Sequence, residues 1–370
     1  MATTFKTLLD DDIVSTRTLL NEVVPITGTI ISSSLYGTSS IKSFTHGIFQ
    51  SVYDYPYLSS SANELFNMST GLNSFSPGSS SVDTYVKKKT NIYNQMAQVL
   101  VGHDTTGSIF RFDKDGNPAT DGDKLDSLYF LSFSRLLVKD EIKKGSFNMT
   151  VGIHTSSNTP FNTTCLVSDI SGSTKYYINS PAGEYGVLYA TGFSGNEAAT
   201  TVKEVGFIFY QAGIVALSTN LFAISSSNSP SSNMFSNQYG QLSSNPPNMS
   251  ANMSSNSNIK DIFASGSIDQ INAGLRCRIG NIQFNNTTEL NSTIHFCRVN
   301  HNEFNYSSNP TYLSSSQIRV KNSTLDSPVS YITSVGLYSP DNELLAVAKL
   351  SEPLKKDPTQ ELILRVRLDY

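Results

Sequence analysis

The chain has 370 residues, of which 38% are hydrophobic and only 15% charged, and its formal net charge is −4. That length and apolar share support two or three folded domains and exclude wholesale disorder. The weak acidic balance lacks the clustered Lys and Arg with which nucleic-acid binders displace counterions, while abundant Ser, Asn and Thr suit strand surfaces and subunit contacts.

The N-terminal apolar residues are interrupted by Asp10, Asp11 and Asp12, so no signal peptide is expected there. No stretch approaches eighteen apolar residues, and no membrane partner is expected. Cys165, Cys277 and Cys297 make an odd count, which fits reduced thiols in a protein made in a cytoplasm. The sequons at Asn148 and Asn286 read as by-products of an Asn- and Thr-rich composition.

Residues 1–80 mix short apolar runs with turn formers and form a first β/loop region, with Ser59-Ser60-Ser61 and Phe75-Ser76-Pro77-Gly78 as loops. A helix is predicted from Val82 to Val101, the longest in the protein, with Ile92, Met96, Val99 and Leu100 on one face. Ser81 or Asp83 would cap its start, and Gly102 would supply the left-handed stop. Within it, Lys87-Lys88-Lys89 reads as a solvated face.

Strands are then predicted at Ser108–Phe112, Leu128–Val138, Ser146–Ile153, Thr164–Ile170, Gly186–Thr191 and Val205–Leu217. The last is apolar on both faces around a Gln211-Ala212-Gly213 turn or bulge, the pattern of a segment buried between layers. Together with the helix they fill a domain at 81–224. Residues 225–258, dominated by Ser and Asn, read as a linker or long loop.

A C-terminal β domain at 259–370 ends the chain. Pro328–Tyr338 and Glu343–Leu350 flank a Ser339-Pro340-Asp341-Asn342 turn. In Glu361–Asp369, Leu362, Leu364, Val366 and Leu368 share one face, with Ile363, Arg365 and Arg367 on the other. The expected fold class is mainly β with one or two helices, in β-sandwich-like domains, with α+β as the fallback.

Chemical constellations are scarce. There is no phosphate-cradling glycine motif, and Gly192-Phe193-Ser194-Gly195 lacks the spacing of a nucleophile elbow. Asp113-Lys114-Asp115-Gly116-Asn117 begins like a calcium loop, yet Pro118 stands where Gly is needed and Lys124 where a bidentate Glu is needed. A hairpin turn is expected instead. Cys277, His295, Cys297 and His301 offer four zinc-type ligands at no familiar zinc spacing. His103-Asp104 is expected to end the helix and start a turn rather than form a dyad. No catalytic, cofactor or metal residue is assigned.

Six blocks, at residues 91–104, 128–147, 180–190, 206–217, 284–313 and 329–358, resemble virion structural proteins of contractile-tailed phages infecting marine cyanobacteria. The likeness keeps its order from about Leu35 to Tyr370. The GLYSPDNELLAVAKL hairpin at 336–350 looks, more weakly, like the strand–turn–strand of tail-collar and fibre-attachment proteins. The resemblance implies a non-enzymatic virion component assembled in the host cytoplasm. Its partners would be other virion proteins and copies of itself in a homo-oligomer or symmetric array. Tail, baseplate or fibre-attachment level is the expected position, with neck or capsid exterior as the alternative. The competing class is a receptor- or glycan-binding module, an adhesin or depolymerase. The final strand and this hairpin are the first places to look for assembly contacts.

Overall fold

The structure is a computed structural model that describes residues 5–26, 40–75, 84–118, 122–152, 161, 164–191, 203–219, 221, 263, 266–276, 278–307, 312–314, 317–318, 323 and 325–370. The predicted linker at 225–258, Ser81, Asp83, Cys277 and the Gly192–Gly195 segment lie outside them. The strands are β1 (Ile13–Ile26), β2 (Ile41–Ser43), β3 (Phe49–Tyr53), β4 (Glu64–Leu72), β5 (Ser127–Phe133), β6 (Glu141–Ile142), β7 (Asn148–Gly152), β8 (Thr164–Ser168) and β9 (Tyr177–Ser180). They continue with β10 (Gly183–Thr191), β11 (Lys203–Phe209), β12 (Ile214–Ser218), β13 (Ile279–Val299), β14 (Leu313–Ser314), β15 (Gln317–Ile318), β16 (Ser330–Tyr338), β17 (Leu344–Lys356) and β18 (Leu362–Asp369). The α-helices among the described residues are α1 (Thr84–Leu100), the single turn α2 (Arg135–Val138) and α3 (Ile268–Arg276). The chain is mainly β, and no described helix is long and apolar enough to cross a membrane.

Two compact units divide the chain: Leu20–Thr288, and Met1–Leu19 with Glu289–Tyr370. This differs from the expected division at 80, 224 and 258. The first eighty residues are shared between the units, because β1 carries the boundary within a single strand. The second boundary falls inside β13, at Thr288/Glu289, rather than before Ile259.

The larger unit is built on an antiparallel sheet in the order β13-β7-β8-β10-β11-β12-β5-β4-β3-β2. Strand alternation divides its apolar residues between two faces. Tyr129, Leu131 and Phe133 of β5, Ile208 of β11 and Leu217 of β12 join one core. Leu128, Phe130, Phe207, Phe209 and Ala216 join the other. The first core lies between distant parts of the same sheet, since the Phe133 ring on β5 meets Phe284 on β13 at 5.1 Å. One sheet folded over itself thus gives the sandwich-like interior.

The second core is roofed by α1. Its buried stripe is Val86, Lys89, Ile92, Tyr93, Ala97 and Leu100, whereas Val99 is 60% exposed. Of the predicted face, Ile92 and Leu100 are buried and Met96 packs half-buried against the core, while Val99 points out and Tyr93 and Ala97 join the stripe, where Gly71 of β4 lets the helix backbone come close. A Cβ on Gly71 would fall 3.0 Å from the Tyr93 Cα. Gly102, at φ +91, ends the helix and donates its N–H to Ala97 O at 3.0 Å.

The predicted strand Val205–Leu217 is two strands, β11 and β12, paired as a hairpin; of the turn or bulge expected at Gln211-Ala212-Gly213 the turn is present, with Gly213 at φ +64. Two other predicted strands change. Leu128–Val138 breaks at Ser134, after which Arg135–Val138 winds into one helical turn. Ser108–Phe112 makes no ladder: Phe110 N bonds back to Gly102 O and Leu125 N to Phe112 O, so the segment serves loop pairings instead.

In the smaller unit, β18 pairs antiparallel with β13 from Ser292↔Asp369 to Val299↔Leu362. β16 and β17 form a separate two-stranded ribbon. Its register jumps between Ile332↔Leu354 and Ser334↔Lys349, a bulge that accommodates Pro353 in β17. The tip closes at Ser339–Asn342 as predicted, with Asn342 at φ +63.

Candidate assembly surface

Asp113 is buried, and its carboxylate takes the Lys124 ammonium at 2.5 Å across an isolated β-bridge. Lys124 therefore fills the place that a calcium loop gives to an acid, and Gly116 N bonds Asp113 O at 3.0 Å to close the turn. His103 is exposed. Asp104 accepts the Thr106 hydroxyl at 2.6 Å and the Thr106 and Ser108 amides at 2.8 and 2.9 Å. Those bonds, the Thr106 hydroxyl first, hold its carboxyl below the usual range. It shapes a turn.

His295 and Cys297 stand two residues apart on β13, opposite Val366 and Leu364 of β18. His301 lies beyond the strand, its Nδ1 3.4 Å from Glu361 on the surface. Among the described residues no three His, Cys, Asp or Glu side chains are placed to hold a metal. Burial pushes the Cys165 thiol up to about 12 and also raises Cys297, where Asp12 adds to the effect. Neither is a ready thiolate at neutral pH. At the Asn286 sequon the side chain is buried and its amide donates to Leu137 O at 2.9 Å.

The basic run on α1 overturns its solvated reading in part. Lys87 is exposed, but Lys89 is fully buried, and its ammonium donates to the carbonyls of Phe263 and Gly266, the latter at 2.7 Å. Asp169 was equally unforeseen. It is buried, and its carboxylate accepts the amides of Gly145 and Phe147 at 2.6 and 2.9 Å and the Tyr210 hydroxyl at 3.2 Å. Burial raises its carboxyl to about 6 against those hydrogen bonds. Its only hint in the sequence is the Asp169–Gly172 spacing of a turn.

The smaller unit presents a different surface. Among the described residues its buried apolar side chains are Val299 and Val366 alone. Leu345, Val347, Ile363, Tyr331, Tyr338 and Tyr370 are all exposed. The alternation predicted for β18 is present: Val366 is buried, Leu362, Leu364 and Leu368 are half-buried, and Ile363, Arg365 and Arg367 are exposed. β16 and β17 repeat the pattern, with Ile332, Val335, Leu337, Ala346 and Ala348 half-buried. A free-standing unit would bury such a face against a core of its own.

The ribbon is nevertheless anchored at its base. Lys356 is fully buried and donates to Asp357 O at 2.8 Å, Asn305 Oδ1 at 2.7 Å and His301 O at 3.1 Å. At the other end, Phe5 packs edge-on against Tyr338 at 5.1 Å. On the N-terminal strand, Arg17 pairs with Glu289 while Ile13, Val14 and Leu19 stay exposed. The unit is thus held in shape by polar anchors, with one half-buried apolar face and with Leu345, Val347 and Ile363 exposed on the other. No protein-family model, no curated protein and no solved structure matches this chain.

Proposed function

We propose that this protein is a structural subunit of a tailed-bacteriophage virion, at the tail, baseplate or fibre-attachment level, and that it acts by being built in among neighbours. The carrying observation is the smaller unit's inverted surface. Large apolar side chains stand outside on anchored strands, where burying them against another chain gains about 25 cal/mol per Å². The six blocks of resemblance supply the phage, and the 336–350 hairpin supplies the preference for the tail over the neck or capsid exterior. Mass spectrometry of purified virions and a reconstruction of the particle test the reading. Absence of the chain from purified particles would sink it.

A receptor- or glycan-binding role is the second reading, favoured by the exposed Tyr55 and Tyr57 beside Tyr53 on the loop that follows β3. It requires binding on a glycan array that is lost in a Tyr55→Ala, Tyr57→Ala double variant. A blank array removes it.

A further inference from the structure

We infer that the outer edge of β16 is a homotypic docking edge, where β16 of a second copy adds antiparallel to make a four-stranded sheet from two ribbons. Three observations carry this. First, β16 pairs with β17 alone, and among the described residues its main chain makes no other backbone–backbone bond, the Ser330 hydroxyl donating to Phe304 O at its base. A lone two-stranded ribbon is at best marginally stable in water, and a third and fourth strand remedy that.

Second, the edge is unguarded. Soluble proteins blunt free edges with Lys, Pro or inward charge. β17 carries Lys349, Glu352, Pro353 and Lys355; β18 carries Arg365 and Arg367; β1 carries Arg17, Glu22 and Pro25. β16 reads Ser-Tyr-Ile-Thr-Ser-Val-Gly-Leu-Tyr, with neither charge nor proline. The hairpin thus guards its β17 edge, while among the described residues no strand covers the β16 edge.

Third, the missing charge selects the occupant. Antiparallel self-pairing of β18 about Val366 would oppose Arg365 with Arg367 of the copy, a like-charge clash that destabilises a cross-strand pair. Two copies of β16 meet with no like charges opposed in any register. The new sheet also makes the half-buried face of Ile332, Val335 and Leu337 continuous across both chains, as an isologous contact requires.

Thr333 provides the test, because it is exposed and falls in the register jump, with no partner on β17. Sedimentation of the full chain should show a dimer or larger species at micromolar concentration. Thr333→Lys and Thr333→Glu should each weaken association by roughly tenfold or more, with unchanged circular dichroism. An equimolar mixture of the two should recover it, because opposite charges then face each other across the copies. A wild-type chain that stays monomeric, variants that associate like wild type, or a mixture no tighter than either variant would each overturn the inference. The inference rests on the reading of the chain as an assembly subunit, but the two fail separately. A solution monomer found in virions removes only the docking edge, and a self-associating chain absent from virions removes only the virion role.

Discussion

At the scale of the residue, two buried charged side chains set the energetics. Asp169 loses hydration on folding, and three hydrogen bonds only partly offset that loss, so its carboxyl rises to about 6 from an unperturbed 3.8. The folded chain then keeps a proton that the unfolded chain releases between these values. Stability contributed by this group declines as pH rises from about 4 to about 6, by at most about 3 kcal/mol, and is constant above that window. Denaturant melts across pH 4–8 should show the decline. Asp169→Asn should flatten it while costing about 1–3 kcal/mol, because an amide nitrogen then faces a backbone N–H. Lys89 makes the complementary case. Its ammonium satisfies the Phe263 and Gly266 carbonyls in a place closed to solvent. Lys89→Met should cost about 2–4 kcal/mol by leaving those oxygens unpaired. Lys87→Ala, at an exposed position of the same run, should stay within about 0.5 kcal/mol of wild type.

At the scale of the element, helix α1 is held by a gap that only glycine leaves. A Cβ at Gly71 would come within 2.8 Å of Phe130 Cε2 and 3.0 Å of the Tyr93 Cα. Gly71→Ala must therefore push the helix or the ring away, at about 1–3 kcal/mol. The second core loosens first, and a lower melting temperature with faster exchange of the α1 amides is the expected readout. The same elements show what periodicity reveals. The Val205–Leu217 segment was legible as strand with a turn or bulge, and β18 as an alternating strand, because each alternates or runs apolar against a definite surface. The face of α1 was legible at Ile92, Met96 and Leu100 and missed at Val99, because the sequence does not disclose that Gly71 lies opposite Tyr93. Lys89 looked solvated because a run of three lysines carries no sign of which one meets a buried carbonyl. β1 was illegible as a 14-residue strand, since its side chains are exposed on both faces until Val24 and so carry no period. The candidate surface was legible only as strands. The 336–350 hairpin stood out, but alternation alone cannot tell a face that is already covered from one that awaits a partner.

At the scale of the molecule, the two units distribute burial in opposite ways. Leu20–Thr288 encloses two apolar cores, with Phe209, Val215 and Leu217 inaccessible on paired central strands. The unit of Met1–Leu19 with Glu289–Tyr370 relies on polar anchors such as Lys356 and Ser330, and keeps its larger apolar side chains outside. Local opening free energy follows buried apolar contact, so the units should differ in hydrogen exchange by much more than their strand content suggests. In dilute solution, amides of β11 and β12 should exchange only through global unfolding. Those of β16 and β17 should exchange orders of magnitude faster, through local opening of the ribbon. Raising the protein concentration should slow exchange at β16 selectively and leave β11 unchanged, because a chain that binds only the closed ribbon stabilises it by mass action. Equal protection of β16 and β11 at every concentration would mean that the ribbon is complete within one chain. Its uncharged edge would then be ordinary surface, and the large apolar side chains around it would have no assembly to explain them.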